Sequence, residues 1–372
     1  PDKMQRLLYQ AQWQADQARD ELRRYVIEEL GDAEGIGIVD ETGFIKKGVK
    51  SAGVKRQYTG TAGKIENSQV GTFLVYASER GHTLIDRRLF LPEEWAQDIP
   101  RRTEAKVPEG VTFQTKPQQA CEMLEQAWKN GVPMKWVTGD ELYGNASALR
   151  DAVASSGRLY VLAVSSNTQV WTKRPRLMAA RTTKGGRQIK PKLAKNAAHH
   201  RDVAKVVARW PAESWKRLAV HQGTKGPIEY DWAMTRVVEC VDSLPARDAW
   251  LLARRSISKP SEVAYYLSNA DAGTSLDTVA HIASSRFKIE QCFEEAKGET
   301  GLDHYEVRYY HSWYRHITLS MMAHAWLAVL RRQAEDNLAG AKKNSPASTR
   351  ALDCAGSAPT ASDCVTTPAS VE

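Results

Sequence analysis

The feature that most limits how this chain can fold is a pair of short apolar runs, each handing over to an aspartate. Ile36-Gly-Ile-Val39 reads as a strand that ends at Asp40, and Met134 to Thr138 reads as a strand followed by Gly139-Asp140. A third acid, Glu290, lies inside a helical pattern about 150 residues further on. Two acids at strand ends and one from a helix can meet over one edge of a mixed sheet. Such a set of hard oxygen ligands suits Mg²⁺ or Mn²⁺ and not zinc. Two such ions about 3.5–4 Å apart can activate a nucleophile and stabilise the leaving oxygen of a phosphodiester. Taken one at a time, Asp40 and Asp140 are also ordinary turn or cap residues.

The helix around Glu290 offers an internal check. In Arg286-Phe-Lys-Ile-Glu290-Gln-Cys-Phe-Glu-Glu-Ala-Lys297, Arg286, Glu290 and Lys297 fall within roughly 40° of one another at 100° per residue. Ile289, Phe293 and Ala296 form a neighbouring apolar face. One face then carries an acid flanked by two cations, which suits metal and phosphate held together. A surface helix with Glu–Arg and Glu–Lys pairs gives the same pattern. Glu41 and Glu141 follow the two aspartates and point to the opposite face if the strands run on regularly. Glu294, one turn after Glu290, is its nearest substitute.

Elsewhere the periodicity predicts a helical region over 2–30, with Leu7, Leu8, Trp13, Ala18, Leu22, Tyr25, Val26 and Leu30 as a rough stripe. Phe44 to Lys50 reads as a hairpin partner of the first strand after a turn at Gly43. Gln69–Ala77 and His82–Leu91 form a second strand pair. A helix is expected over 117–130, a short one over 146–155 and a strand over 159–164. From 171 to 272 the character changes to β-like runs (203–209, 217–221, 228–238, 249–255 and 262–268) separated by turn signals. Helical patterns return at 276–297 and 312–332. The expected organisation is an N-terminal helical region (1–30), a core in two parts (31–170 and 273–333), a basic β-rich insertion (171–272) and a disordered Ala/Ser/Thr/Pro tail (334–372).

Charge is concentrated. The formal net charge is +8, yet residues 172–201 hold ten Lys or Arg and no acid, and residues 42–65 hold six more and no acid. Concentrated positive charge points to a polyanion, most commonly nucleic acid, although two solvated basic loops have the same composition. The five cysteines make no CxxC pair and no zinc-finger spacing with histidine. Free thiols in a reducing cytoplasm are expected. The longest late apolar stretch, Met321 to Leu330, is too short to span a bilayer, so no membrane association is expected. The chain starts at Pro1 without an initiator Met, which suggests a fragment lacking an upstream segment.

The segments VDETGF (39–44), KKGVKSAGVKRQYTGTAGKIENSQVG (46–71), TGDELYG (138–144), RFKIEQCFEEAKGETGLDHYEVR (286–308) and WYRHITL (313–319) resemble the DDE transposases of bacterial insertion sequences. The resemblance is in particular to the type named after insertion sequence 701, a relative of the insertion-sequence-4 group, and runs from about residue 4 to 332. It implies an α/β fold: an RNase H-like mixed sheet flanked by helices, interrupted by a β-rich insertion before the last catalytic helix. It implies Asp40, Asp140 and Glu290 as ligands of Mg²⁺ or Mn²⁺, two ions in all. The activity implied is cleavage at transposon ends and transfer of the 3′-OH into target DNA. Partners would be duplex DNA, both terminal inverted repeats and target, with a homodimer when two ends are paired. The related group's signature of Tyr, two residues, Arg, three residues, Glu, six residues, Lys is matched by Arg286, Glu290 and Lys297, with Ala283 where the Tyr belongs.

Candidate DNA contacts are therefore Arg286 and Lys297, Lys46, Lys47, Lys55 and Arg56 after the first catalytic strand, and Lys173, Arg174, Arg187 and Lys190 in the basic stretch. Of Trp171, Trp210, Trp215 and Trp232, at least three are expected in a β core, leaving room for one to stack on an unpaired base. Gly60-Thr-Ala-Gly63-Lys64 is not a phosphate loop, because Ile65 follows the Lys and the segment lies between strands. A hydrolytic nuclease on the same core, or a non-catalytic DNA-binding derivative, remains a rival reading.

Overall fold

The computed structural model describes residues 2–182, 188–223 and 226–344. The chain opens with helices α1 (Asp2–Tyr9) and α2 (Ala15–Leu30), so the expected single stripe is broken at residues 10–14. Strands β1 (Ile36–Ile45), β2 (Lys55–Thr59), β3 (Lys64–Ser78) and β4 (Gly81–Leu89) follow, then α3 (Glu93–Gln97), α4 (Ile99–Glu104) and α5 (Lys116–Lys129). Next come β5 (Trp136–Gly139), α6 (Glu141–Gly144), α7 (Ser147–Ser155) and β6 (Leu159–Val164). The basic segment holds β7 (Gln169–Trp171) and two-residue strands β8 (Leu177–Met178), β9 (Arg181–Thr182), β10 (Gln188–Ile189), β11 (Lys192–Leu193) and β12 (Arg201–Asp202). Helix α8 (Val203–Val207) precedes the long strands β13 (Lys216–Gly223), β14 (Gly226–Val241), β15 (Leu244–Arg255) and β16 (Val263–Ser268). Helices α9 (Leu276–Ser284), α10 (Phe287–Thr300) and α11 (Tyr310–Asn344) complete the order.

The core sheet runs β4–β3–β1–β5–β6, antiparallel from β4 to β1 and parallel from β1 through β5 to β6. This is the mixed α/β arrangement of an RNase H-like core. Its central strands are apolar on both faces: Ile38, Val39, Phe73, Leu74, Val137 and Leu162 are fully buried. That double burial is why these strands read as continuous apolar runs. Helix α5 starts at a capping box, Thr115 with Gln118, and buries Ala120, Met123, Leu124 and Ala127. Gly131, with φ +77°, ends its turn.

Four expectations are corrected. First, β1 does not stop at Asp40 but continues through Gly43 to Ile45, pairing with β3 down to Ile45↔Ser68. Gly43 is not a turn; a Cβ there would lie 1.8 Å from the Thr59 hydroxyl, so the glycine admits a neighbouring side chain. Second, residues 203–207 are helical and not a strand: Val203, Val206 and Val207 are buried at i, i+3 and i+4, and that burial outweighs the strand preference of valine. Third, 276–297 is not one helix, because the chain breaks between α9 and α10 around Ser285–Arg286. Fourth, α11 runs on to Asn344, into the expected tail, through a stretch with three Ala and two Lys, good helix formers. Residues 345–372 lie outside the described residues.

The β-rich insertion extends the core sheet. Strand β16 pairs antiparallel with β6, and β15, β14 and β7 continue outward. Its junction with the core is tied by Glu239, which is 1% exposed, accepts from Arg150 Nε at 3.0 Å and also takes the Tyr160 hydroxyl. Trp171 and Trp232 are buried, while Trp210 and Trp215 pack on each other at 5.9 Å and are half-buried. Among the described residues, 2–332 form one compact unit, and 333–344 fall outside it. No helix among the described residues is long and apolar enough to cross a membrane. Cys121, Cys240 and Cys292 are free thiols.

Helices α10 and α11 are joined through Glu295, which binds His324 Nε2 at 3.3 Å and Arg331 Nη1 at 3.0 Å. The His324 bond first, and Arg331 second, hold its carboxyl at about 2 against an ordinary 4.5. A depressed folded-state value stabilises the fold above the unfolded value and loses that contribution as pH falls through the folded one. Between pH 4.5 and 2, Glu295→Gln should therefore show a shallower decline of melting temperature than wild type.

Candidate active site

The parallel register between β1 and β5 decides where the acids stand. Val39 pairs with Gly139, so Asp40 on β1 and Asp140 just past the end of β5 follow side by side, about 5 Å apart at the backbone. Gly139 makes that close approach achievable, since a Cβ there would meet Val39 Cγ2 at 2.8 Å. Asp140 is also the N-cap of α6, its Oδ1 accepting from Leu142 N–H at 2.9 Å. Gly144 closes that short helix against β6, where a Cβ would come within 1.7 Å of the Ala163 carbonyl oxygen. Gly144→Ala must push α6 and Asp140 off the sheet. A loss of about 1–3 kcal/mol is expected in urea unfolding.

Helix α10 brings the third acid. Arg286, at its N-terminus, donates from Nη1 to Asp40 Oδ2 at 3.0 Å and from Nη2 to Glu290 Oε1 at 2.6 Å. Asp40 and Glu290 are thus separated by one guanidinium. Glu294 is exposed and makes no such bridge. Burial first, and Asp140 second, push the Asp40 carboxyl up to about 7 against the opposing pull of Arg286. Burial and then Glu41 also raise Asp140. Lys297, further along α10, donates to Thr42 Oγ1 at 2.9 Å and Thr61 Oγ1 at 3.3 Å, and burial lowers its ammonium. Ile289, Phe293 and Ala296 are buried on the neighbouring face.

Strand alternation separates Glu41 from Asp40. Glu41 takes its partners from α5 and α6: Lys116 Nζ at 2.7 Å and the Tyr143 hydroxyl at 2.7 Å. Tyr143 is fully buried. Lys116 and Tyr143 were missed from the sequence; the only signal was their closeness to a capping box and to Asp140. Where the related signature has Tyr, Ala283 stands and is buried.

The expected basic contacts divide. Lys46 is not a free contact: its ammonium donates to the Tyr305 carbonyl at 2.8 Å and lies 3.5 Å from that ring's centre. Burial lowers it to about 8. Lys55 pairs with Glu94 at 2.6 Å and Arg174 with Asp248 at 2.9 Å, both at the surface. Lys47, Arg56, Lys173 and Lys190 are exposed. Arg187 lies outside the described residues. The late histidines are dispersed: His316 bonds the Gly301 carbonyl, His311 stacks on Tyr309 and His324 bonds Thr83.

Asp40, Asp140 and Glu290 offer only carboxylate oxygens, which is the donor chemistry of a hard divalent ion. Among the described residues no three acidic, imidazole or thiol groups stand close enough to close on one ion as they are. Glu290 is turned to Arg286 and is 59% exposed, so a side-chain rotation suffices to release it. The donor chemistry of the acids suits such an ion, while Arg286 stands between Asp40 and Glu290.

The chain sets two aspartates side by side over the central strands of an RNase H-like sheet. Residues 1–227 match the family described as DDE superfamily endonuclease, and the chain belongs to that family. A curated relative, "Probable transposase for insertion sequence element IS701" of Microchaete diplosiphon, is 29% identical over 160 residues, 42% of this chain. The matched part is 39% of that relative's own length. Among solved structures, a piggyBac transposase synaptic complex with hairpin DNA aligns at TM-score 0.41 and 10% identity, over 82% of this chain and 49% of that one. The NurA nuclease from Sulfolobus solfataricus aligns at TM-score 0.27 and 10% identity, over 88% and 91%. At these scores neither speaks to the chemistry of this chain.

Proposed function

We propose that this chain is the catalytic part of a DNA transposase, in which Asp40, Asp140 and Glu290 hold Mg²⁺ or Mn²⁺, two ions when fully loaded. The observation that carries the reading is the register that sets Asp40 beside Asp140 with Arg286 and Glu290 of α10 upon them. Bound there, the ions would supply Lewis-acid stabilisation of phosphodiester oxygens. The protein's own residues do the rest. Glu41, fixed by Lys116 and Tyr143, anchors β1 beside Asp140. Lys297 braces β1 against the turn holding Thr61, and Arg286 offers its guanidinium to a phosphate. Lys47, Arg56, Lys173, Arg174 and Lys190 supply further positive charge for duplex DNA.

The reaction proposed has two steps: water cleaves a phosphodiester at a transposon end to free a 3′-OH, and that hydroxyl attacks target DNA. A duplex carrying the element's end, already cut to leave the 3′-OH, tests it directly. Joined product that depends on Mg²⁺ or Mn²⁺ is expected. Cutting of the uncut end without any joining would instead make this a hydrolytic nuclease, and salt-sensitive binding with neither reaction would make it a binding protein alone.

A further inference from the structure

Asp40 and Asp140 stand side by side with Glu290 facing them across a guanidinium, and that guanidinium is a counter-ion the chain supplies itself. Arg286 is bonded to Asp40 on one side and Glu290 on the other, and Asp140 also acts on its charge. We infer that Arg286 is an internal stand-in for the divalent cation, occupying the gap between Asp40 and Glu290 until metal displaces it. The inference rests on the metal reading of the site.

The physical grounds are competition for the same oxygens. Mg²⁺ takes carboxylate oxygens at about 2.0–2.1 Å, and a guanidinium bonded to Asp40 Oδ2 and Glu290 Oε1 would then face the ion across a few ångströms of poorly screened repulsion. Arg286 can leave. Its side chain is one-third exposed, and it sits at the break between α9 and α10 with no side-chain cap bond to hold it. Once displaced, its donors are free for a phosphate, so metal entry and phosphate engagement become one movement. Lys297, the other cation of this face, is bonded instead to Thr42 and Thr61. The price is weakened metal affinity before DNA arrives.

The test is Mn²⁺ binding to the metal-free full chain, followed by the loss of the free-ion electron paramagnetic resonance signal. Arg286→Ala should bind Mn²⁺ more tightly than wild type, by at least about tenfold, because one positive charge is removed from beside the ion. Without metal it should melt lower than wild type, and Mn²⁺ should raise its melting temperature by more. Arg286→Lys, which retains a charge but cannot bridge two carboxylates, should bind with intermediate affinity and guards against misfolding of the alanine variant. Equal or weaker Mn²⁺ binding by both variants, with wild type binding normally, would overturn the stand-in role alone. If wild type and both variants take up no Mn²⁺, the metal reading itself fails and this inference with it.

Discussion

Asp40→Asn should abolish DNA cleavage, by about 10³-fold or more, while leaving the fold and the affinity for DNA nearly intact. The size follows from what the carboxylate is asked to do: losing a metal ligand forfeits several kcal/mol of transition-state stabilisation, at 1.4 kcal/mol per tenfold. The intact fold follows from the electrostatics of the site. Asp40 is buried beside Asp140, and both burial and that neighbour disfavour its charged form. A neutral amide of the same shape removes the repulsion and can still meet Arg286 through its carbonyl oxygen. On the proposed reading, DNA affinity rests mainly on exposed basic side chains such as Lys47, Arg56, Lys173 and Lys190, so its salt dependence should change little. The measurement is single-turnover nicking of an end-bearing duplex in Mg²⁺ and in Mn²⁺, alongside a thermal melt and a binding isotherm. Cleavage at the wild-type rate would remove Asp40 from the chemistry. A variant that loses cleavage only because it has unfolded would show it in the melt.

What could be read beforehand divides along physical lines. The Asp40 and Asp140 strands were legible because central strands covered on both faces leave continuous apolar runs, and a charge after such a run stands out. The α10 face was legible because 3.6-residue periodicity survives in a helix that packs on one side. Gly43 misled because a glycine serving close approach to Thr59 looks the same in sequence as a glycine serving a turn. The Val203–Val207 helix misled because valine's strand preference was outweighed by tertiary burial. The joining of the insertion to the core sheet was not legible, since the pairing of β16 with β6 links residues about a hundred positions apart. Nor was the bridge from Arg286 to Asp40: sequence showed its Glu290 partner at i+4, but the other half spans the whole fold.

The largest effect on stability is expected far from the acid cluster, at Asp86 on β4. This carboxylate is fully buried and lies within 2.5 Å of Arg23 Nη2, 3.5 Å of Arg19, and 3.4 Å of both Arg87 and Arg88. Arg19 and Arg23 project from α2, so this one side chain fastens the N-terminal helix to the core sheet. Burial alone would raise the Asp86 carboxyl, but Arg88, Arg23, Arg19 and Arg87 together outweigh it and hold it below its ordinary value. Asp86→Ala leaves Arg19, Arg23 and Arg87, each no more than 2% exposed, with most of their compensation gone. Asp16 and Asp20 remain as partners, but they lie at the surface, 66% and 43% exposed, where they cannot neutralise the interior. Removing one partner of a buried ion network costs about 3–5 kcal/mol, a large share of a total stability of about 5–15 kcal/mol. Urea unfolding should show that loss with α2 detaching, and amide exchange in Arg19–Leu30 should rise more than in β1. Asp86→Ala combined with Arg23→Met should recover part of the loss, because the pair is then replaced by apolar groups and no longer half-broken. A double variant no more stable than the single one would mean that Arg19 and Arg87, not Arg23, carry the interaction with Asp86.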